Sequence, residues 1–399
     1  MPGFKVNLNE NLEKILNEPY AFELVEEKKK KAVEKFGKDR IIDFGVGDPT
    51  DDAPQTVRDA AKKGIEERKN SGYPTAIGEK EYREKVAEWF GKRFGVNVDS
   101  DKEVVSSFGA KQCIFLMPYH FLNSDRENIV LMPNPGYPPY KGGTTMAGGT
   151  CHFLNLLEEN NFEPKIDDLD REIVEKTKII YVNSPQNPTG KVYRKEKLKE
   201  IVDFCIDNEI ILISDECYSE NYYGEKPLSI LQIENADQCS IVVNSLSKMS
   251  MMTSYRVGFV VIKNEELMKP YKLFEQNSHS GVATFIQDAA IAALSDEKVS
   301  GVMNKIYKER IDAFLPALKS AGFKIDAPEG TFYLWAKLPE GETPIEYSTK
   351  LLEEKGINCT PGNMISETFN GVNPGDNYVR FAMVAPLEKT KEAAERLLE

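Results

Sequence analysis

A lysine in a short serine-rich pattern is the residue of this sequence best suited to chemistry. The pattern is Ser245-Leu246-Ser247-Lys248, and Arg256 follows eight residues after the lysine. A lysine amine can attack a carbonyl group or move a proton once it has lost its charge. Alone, Ser-x-x-Lys is a weak signal, because an exposed lysine beside a serine-rich turn satisfies it equally well. Lys248 is therefore a candidate that needs support from the rest of the chain.

A serine hydrolase is the first alternative, because penicillin-binding proteins and β-lactamases also contain Ser-x-x-Lys. Those enzymes need a Ser-Asp-Asn and a Lys-Thr-Gly triplet as well. The comparable triplets here are Ser214-Asp215-Glu216 and Pro188-Thr189-Gly190, and neither matches. This alternative is therefore disfavoured.

Three further motifs occur in a fixed order around the lysine. Before it come Ser184-Pro185-Gln186-Asn187-Pro188-Thr189-Gly190 and then Ser214-Asp215-Glu216-Cys217-Tyr218, and after it comes Asn377-Tyr378-Val379-Arg380. This order resembles that of the class I and class II aminotransferases, which are pyridoxal-5′-phosphate (PLP) enzymes of fold type I. The resemblance runs from about Gly45 to Met383, nearly the whole chain. It implies an aminotransferase that uses PLP.

The resemblance implies roles around the cofactor that these residue types can perform. Lys248 matches the lysine that holds PLP covalently and moves a proton at the α-carbon of the substrate. Asp215 matches the buried carboxylate that keeps the pyridine nitrogen protonated, which PLP needs as an electron sink. Asn187 and Tyr218 match the residues that hydrogen-bond the 3′-oxygen. An aspartate in an ordinary turn or helix cap is the alternative for Asp215.

The phosphate of PLP needs hydrogen-bond donors and positive charge. Gly109, Ala110 and Lys111 follow a strand-like run and precede a helical one, so backbone N–H groups at a helix start can approach a dianion. By resemblance these three residues form a phosphate cup, and Ser245 and Arg256 match the remaining phosphate ligands. Considered alone, the Gly-Ala-Lys sequence fits an ordinary strand–helix turn.

Two tyrosines complete the cofactor site that the resemblance implies. Tyr137, within the proline-rich turn at residues 135–140, matches the aromatic ring that lies against the face of the cofactor; otherwise it is a core tyrosine. Tyr73 matches a tyrosine that reaches the phosphate in the neighbouring subunit. The resemblance therefore implies a homodimer with shared active sites.

Arg380 and Gly47 are the substrate-binding residues that the resemblance implies. The planar fork of arginine suits a carboxylate better than lysine does. Arg380 matches the family's arginine for the substrate α-carboxylate, with a structural salt bridge as the alternative. The backbone around Gly47 would lie over the same carboxylate.

The side chain of the substrate is less well defined. Residues 277–284 contain no arginine, which disfavours one subgroup of aspartate aminotransferases. The turns at 45–49, 109–111 and 134–140 look more like those of diaminopimelate-pathway aminotransferases, although residues 74–77 lack the acidic residue that plant-like LL-diaminopimelate enzymes have there. We expect LL-diaminopimelate with 2-oxoglutarate, in lysine biosynthesis. An N-succinyldiaminopimelate, aspartate or aromatic aminotransferase, or a PLP-dependent C–S β-lyase, remains open.

The elements around these motifs predict an α/β fold with a mostly parallel sheet. Apolar runs alternate with amphipathic stretches from about residue 55 to 310, and the clearest strands are Asn128–Met132, Lys178–Asn183, Ile210–Ser214, Ser240–Val243 and Val257–Ile262. Three of them end directly before or at motif residues, where open α/β sheets bind ligands. We expect an N-terminal arm (1–50) packed with the small domain, a large PLP-binding domain (51–310) and a smaller α+β domain (311–399).

Composition restricts the partners. The net charge of −13 disfavours nucleic acid, and no apolar run approaches the roughly 18 residues that span a bilayer. The N-terminus lacks the layout of a signal peptide, so a cytoplasmic protein is expected.

The six cysteines form no CxxC pair and the three histidines show no ligand spacing, so no metal site is expected. A PLP-sensing transcription regulator is disfavoured, because the arm of about 45 residues has no room for a DNA-binding module.

Overall fold

The computed structural model describes residues 8–16, 21–69, 72–123 and 125–399. Within these ranges the helices are α1 (Glu10–Leu16), α2 (Ala21–Phe36), α3 (Gln55–Glu67), α4 (Lys80–Phe94), α5 (Ala110–Phe121), α6 (Pro139–Met146), α7 (Arg171–Lys176), α8 (Lys195–Asp207), α9 (Leu246–Met249), α10 (Glu265–Ser278), α11 (Thr284–Ser295), α12 (Val299–Ser320), α13 (Pro344–Lys350) and α14 (Leu387–Leu398). The strands are β1 (Ile42–Asp43), β2 (Val104–Ser107), β3 (Ile129–Asn134), β4 (Thr150–Asn155), β5 (Thr177–Asn183), β6 (Ile211–Asp215), β7 (Ser240–Ser245), β8 (Gly258–Ile262), β9 (Tyr333–Lys337), β10 (Ile357–Asn358), β11 (Thr360–Pro361) and β12 (Tyr378–Ala382). Of the helices described, none combines the length and the apolar character needed to cross a membrane.

A seven-stranded sheet in the order β2-β8-β7-β6-β5-β3-β4 forms the larger layer of the molecule. Its strands β4, β3, β5, β6 and β7 are parallel to one another, and β8 runs antiparallel to its neighbours β7 and β2. Every residue of β6, Ile-Leu-Ile-Ser-Asp, is buried, as is usual for a parallel strand covered on both faces. The prediction of an α/β fold with a mostly parallel sheet is confirmed.

Four neighbouring parallel strands end in polar residues at one edge of this sheet. β3 ends at Asn134, β5 at Asn183, β6 at Asp215 and β7 at Ser245. Three of these strands continue one or two residues farther than the sequence predicts, because their polar last residues are buried and hydrogen-bonded. The carboxyl edge of β3, β5, β6 and β7 is thus where polar side chains converge, as open parallel sheets require of a ligand site.

A smaller layer packs beside this sheet. It consists of the antiparallel sheet β11-β12-β9 and the parallel pair β1-β10. Its core brings together Phe44, Phe314 and Phe381, whose rings lie 5.0–6.3 Å apart between centroids. Because Arg380 precedes Phe381 in the central strand β12, this core fixes the backbone that carries the arginine.

The N-terminal arm contacts both layers. Strand β1 pairs with β10, with Ile42 opposite Ile357, whereas α1 packs against α6, where Asn11 Nδ2 donates to the Met146 carbonyl at 3.5 Å. Residues 1–7 and 17–20 of the predicted arm lie outside the described ranges. The predicted boundary at residue 310 falls within α12, a single helix of 22 residues. The division into domains stays a prediction.

Candidate active site

Ten of the residues predicted for the site line one cavity of about 480 Å³ at the carboxyl edge of the large sheet. They are Gly47, Ala110, Lys111, Tyr137, Asn187, Asp215, Tyr218, Ser245, Lys248 and Arg256. Gly109 and Arg380 lie against members of this set, and Tyr73 lies elsewhere on the surface. Residues far apart in the sequence therefore meet around one space.

Lys248 enters the cavity from the short helix α9, directly after β7. The Ser245 hydroxyl begins this helix by accepting a hydrogen bond from the Ser247 N–H. The Lys248 ammonium donates to the carbonyl oxygen of Gly47, and burial lowers the pKa of Lys248 to about 8. A lysine with such a pKa is a better nucleophile and base near neutral pH than an exposed one.

Asp215 is the last residue of β6 and is only 4% exposed. It accepts a hydrogen bond of 2.6 Å from the Tyr140 hydroxyl and one of 3.2 Å from the Cys217 N–H. Burial raises the pKa of Asp215, and these donors oppose the rise. The cavity therefore contains a buried carboxylate whose donors are neutral groups, and a cation on a ligand would stabilise its charged form.

The start of α5 and Arg256 form the cationic end of the cavity. Gly109 precedes α5 with a φ of +74°, and a Cβ at this position would come within 2.9 Å of Arg256 Nη2. Arg256 donates to the Phe108 carbonyl at 3.0 Å and to the Thr253 carbonyl at 2.8 Å. Helix N–H groups and a guanidinium at one place favour an anion such as a phosphate.

Arg380 is 1% exposed and lies in the middle of β12. Its Nη1 donates to Asn187 Oδ1 at 3.2 Å and its Nη2 to the Gly45 carbonyl at 2.9 Å. The guanidinium carbon lies 4.5 Å from the centre of the Tyr333 ring. These contacts fix the orientation of the arginine beside the cavity, as binding of a planar carboxylate requires.

The two predicted tyrosines have different locations. Tyr137 lines the cavity, with its ring edge-on to Tyr140 at 5.9 Å between centroids. Tyr73 is 93% exposed and is not among the lining residues. The role of Tyr73 in a neighbouring subunit stays a prediction.

Sequence reasoning missed Tyr333 and Tyr140. A Cβ on Gly47 would lie 2.0 Å from the Tyr333 hydroxyl oxygen, so the close approach of this tyrosine requires a glycine there. Tyr333 belongs to a strand whose apolar residues predict core packing, and that pattern does not indicate that its hydroxyl faces the cavity. The spacing of Tyr140, three residues after Tyr137 in the same turn, was the signal available for the second one.

Comparison with known proteins agrees with this arrangement. The chain matches the family model for aminotransferase class I and II over residues 39–397. It is 40% identical to the LL-diaminopimelate aminotransferase of Aquifex aeolicus over 382 residues, which cover 95% of this chain and 96% of that protein.

Solved structures give the same result. Substrate-bound BacF of Bacillus subtilis matches 99% of this chain and 98% of its own, with a TM-score of 0.91 and 31% identity. The probable N-succinyldiaminopimelate aminotransferase of Thermus thermophilus matches 95% of this chain and 99% of its own, with a TM-score of 0.86 and 25% identity. The prediction made from the ordered motifs is confirmed: the chain is an enzyme that belongs to the class I and II aminotransferase family.

Proposed function

We propose that this aminotransferase is PLP-dependent and moves an amino group from LL-diaminopimelate to 2-oxoglutarate by a ping-pong mechanism, as a step of lysine biosynthesis. The choice of substrate rests on the similarity, along nearly the full chain, to proteins named LL-diaminopimelate aminotransferase. We further propose a cytoplasmic homodimer with shared active sites.

The residues of the cavity fit PLP. Asp215 is a buried carboxylate that a protonated pyridine nitrogen would pair with. Arg256, Lys111 and the first turn of α5 would hold the phosphate together with the Ser245 hydroxyl. When bound, PLP supplies an electron sink for the charge that develops at the α-carbon of the substrate.

Asn187 is oriented for its role by Arg380. The Asn187 Oδ1 accepts the hydrogen bond from Arg380, so its Nδ2 is the group left to donate toward the cavity. Together with the Tyr218 hydroxyl, this amide would donate to the 3′-oxygen of the cofactor. One arginine thereby links the substrate-binding end of the site to the cofactor-binding end.

Lys248 would attach the cofactor and move the proton. With a pKa of about 8, roughly a tenth of the amine is uncharged at pH 7, and an uncharged amine can accept the proton of the substrate α-carbon. The Gly47 carbonyl would orient the amine whenever Lys248 is not bonded to the cofactor. Asp48, next to this glycine, also lines the cavity and favours the charged amine that results.

Arg380 would bind the α-carboxylate of the amino donor and of the keto acid acceptor. Its Nη1 and Nη2 are already held by Asn187 and Gly45, and Tyr333 covers one face of the guanidinium. A carboxylate bound to a fixed arginine has little freedom to rotate, which places the α-carbon near Lys248 for proton transfer.

The lysine assignment is tested by borohydride reduction. We expect reduction of the holoenzyme to fix the cofactor on the peptide that contains Lys248, as read by mass spectrometry. Lys248→Ala should lose this adduct, and an adduct that persists in the variant would place the attachment elsewhere.

A screen of half-reactions tests the substrate. The holoenzyme is mixed with LL-diaminopimelate, N-succinyldiaminopimelate, aspartate and an aromatic amino acid, and the change in visible absorption is followed. We expect LL-diaminopimelate to react with the highest kcat/KM and to yield glutamate when 2-oxoglutarate is added. Preference for another amino acid would reassign the substrate, and pyruvate with ammonia in place of glutamate would identify a β-lyase.

A further inference from the structure

A second cavity adjoins the active-site cavity at Tyr137, which lines both. Its volume is about 280 Å³. Met132, Phe153 and Ile365 give it apolar walls, and among the residues that the structure describes the charged ones that line it are Lys141 and Glu367. The Lys141 ammonium and the Glu367 carboxylate lie 2.8 Å apart. An apolar space with a few placed polar groups is the usual form of a small-molecule site.

A buried asparagine holds Glu367 in place. Asn134, the last residue of β3, is 1% exposed. Its Nδ2 donates to the Glu367 carbonyl at 2.8 Å, and its Oδ1 accepts from the Glu367 N–H at 2.8 Å. Two hydrogen bonds from one side chain fix the backbone of Glu367 relative to the sheet, so the segment that carries its carboxylate is positioned before a ligand binds.

Lys141 lies close in the chain to Tyr137, the residue that the two cavities share. It follows Tyr137 by four residues and belongs to the first turn of α6, which begins at Pro139. In LL-diaminopimelate the two ammonium-bearing carbons are four C–C bonds apart, roughly 5 Å when extended, since each bond is about 1.5 Å. Because Tyr137 lines both cavities, a substrate with one end in the active-site cavity can extend its far end past Tyr137 into the cavity that Lys141 and Glu367 line.

The chemistry of the pair matches that far end. LL-diaminopimelate carries an ammonium and a carboxylate at each end, and Arg380 binds one carboxylate in the proposed function. The side chains of Lys141 and Glu367 are 28% and 42% exposed, so a ligand can approach both. A carboxylate can pair with Lys141 while an ammonium pairs with Glu367, so that each charge at the far end of the substrate meets an opposite charge.

We infer that Lys141 and Glu367 form the subsite for the second amino-acid end of the substrate, an inference that rests on the proposed function. Lys141 binds the distal carboxylate, Glu367 binds the distal ammonium, and Asn134 is a positioning residue for Glu367. This subsite supplies the acidic group that residues 74–77 lack. It also discriminates against an N-acylated distal amine, because an amide brings no positive charge to Glu367.

Kinetics of the first half-reaction with three amino acids test this subsite in the holoenzyme. LL-diaminopimelate has both distal charges, glutamate has a distal carboxylate alone, and alanine has neither. We expect Glu367→Gln to lower kcat/KM at least tenfold for LL-diaminopimelate, about the effect of a charged hydrogen bond, and to leave glutamate and alanine within about twofold. Lys141→Met should lower kcat/KM for LL-diaminopimelate and glutamate but not for alanine.

Glu158→Gln is the matched control. Glu158 also pairs with a lysine, Lys337, and lies outside the lining of both cavities, so the three rates should stay unchanged. Equal losses for all three amino acids in Glu367→Gln, or no loss at all, would overturn the subsite. If Glu367→Gln does not fold, the kcat/KM values of Lys141→Met for the three amino acids test the subsite on their own. A wild-type enzyme that reacts with glutamate but not with LL-diaminopimelate would instead refute the proposed function, a result that requires no variant.

Discussion

The hydroxyl oxygens of Tyr333 and Tyr218 lie 3.0 Å apart, within hydrogen-bond distance. Both residues are buried. Burial, together with the adjacent Tyr333 hydroxyl, raises the pKa of Tyr218 well above its usual value. A neutral phenol can donate a hydrogen bond and a phenolate cannot, so Tyr333 helps to keep Tyr218 a donor for the 3′-oxygen of the cofactor.

We expect Tyr333→Phe to lower the pH midpoint of the visible absorption change of the holoenzyme by about half a unit, equivalent to ~0.7 kcal/mol. Without the Tyr333 hydroxyl, the pKa of Tyr218 is raised less, so its neutral phenol is a stronger donor and stabilises the negative 3′-oxygen more, and the neighbouring nitrogen loses its proton more readily. A spectroscopic pH titration measures the midpoint.

The phenylalanine ring still covers Arg380, so KM for the amino donor should change less than about twofold in this variant. Tyr333→Leu is the comparison, because it removes the ring over Arg380 as well and should raise KM. An unchanged midpoint in Tyr333→Phe would show that the Tyr333 hydroxyl does not act on the cofactor through Tyr218.

Lys248 should lower the stability of the cofactor-free protein at neutral pH. Burial lowers its pKa from 10.5 to about 8. Below pH 8 both the folded and the unfolded chain carry the proton, and the full cost of burying the charge is present. Between pH 8 and 10.5 the unfolded chain binds more protons than the folded one, so stability rises with pH in this window.

Lys248→Met should therefore stabilise the cofactor-free protein at pH 7 by on the order of 1–3 kcal/mol, and the gain should shrink as the pH approaches 10.5. Urea unfolding at pH 7 and pH 10 measures the difference. Lys30→Met, at an exposed position of α2, is the control and should give no pH-dependent gain. A gain of the same size at both pH values would contradict the role of the buried charge.

Substitution of Arg380 should lower kcat/KM to a similar extent for every amino donor. We expect Arg380→Ala to reduce kcat/KM by an amount equivalent to roughly 2–5 kcal/mol for each amino donor, the typical loss of one partner of a buried charge pair. Arg380→Lys keeps the charge and loses the planar fork, so it should recover only part of this loss. Steady-state kinetics with several donors distinguish the two ends of the substrate, because a selective loss would place Arg380 at the distal end.

The sequence predicted the cofactor end of this site better than the substrate end. Asp215 and Asn187 belong to motifs at the carboxyl ends of buried strands, and parallel strands place these ends at one edge of the sheet. Lys141 and Glu367 are 226 residues apart, and their meeting depends on how the segment after β11 packs on the sheet. The periodicity of apolar residues in a sequence describes single helices and strands. It therefore predicts neither the contact between Lys141 and Glu367 nor the packing of α1 on α6.

Tyr73 is predicted to complete the site of a neighbouring subunit, and mixing an inactive variant with a weakened one tests this. It is 93% exposed, and the carbonyl of nearby Thr75 lies 2.1 Å from where a Cβ on Gly281 would be. A loop held so closely by its own chain presents the tyrosine outward. Lys248→Ala should be inactive, and Tyr73→Phe should hold the cofactor more weakly because a hydrogen bond to its phosphate is lost.

In a mixed dimer with shared sites, one site contains both substitutions and the other contains neither. Unfolding and refolding the two variants together should therefore yield activity at limiting PLP that exceeds the sum of the separately refolded variants, by an amount set by the fraction of mixed dimers. Mixing Lys248→Ala with Lys30→Met controls for recovery on refolding. If each chain built its site alone, mixing could restore nothing, because the Lys248→Ala chain would stay inactive and the Tyr73→Phe chain would stay weak in any partner.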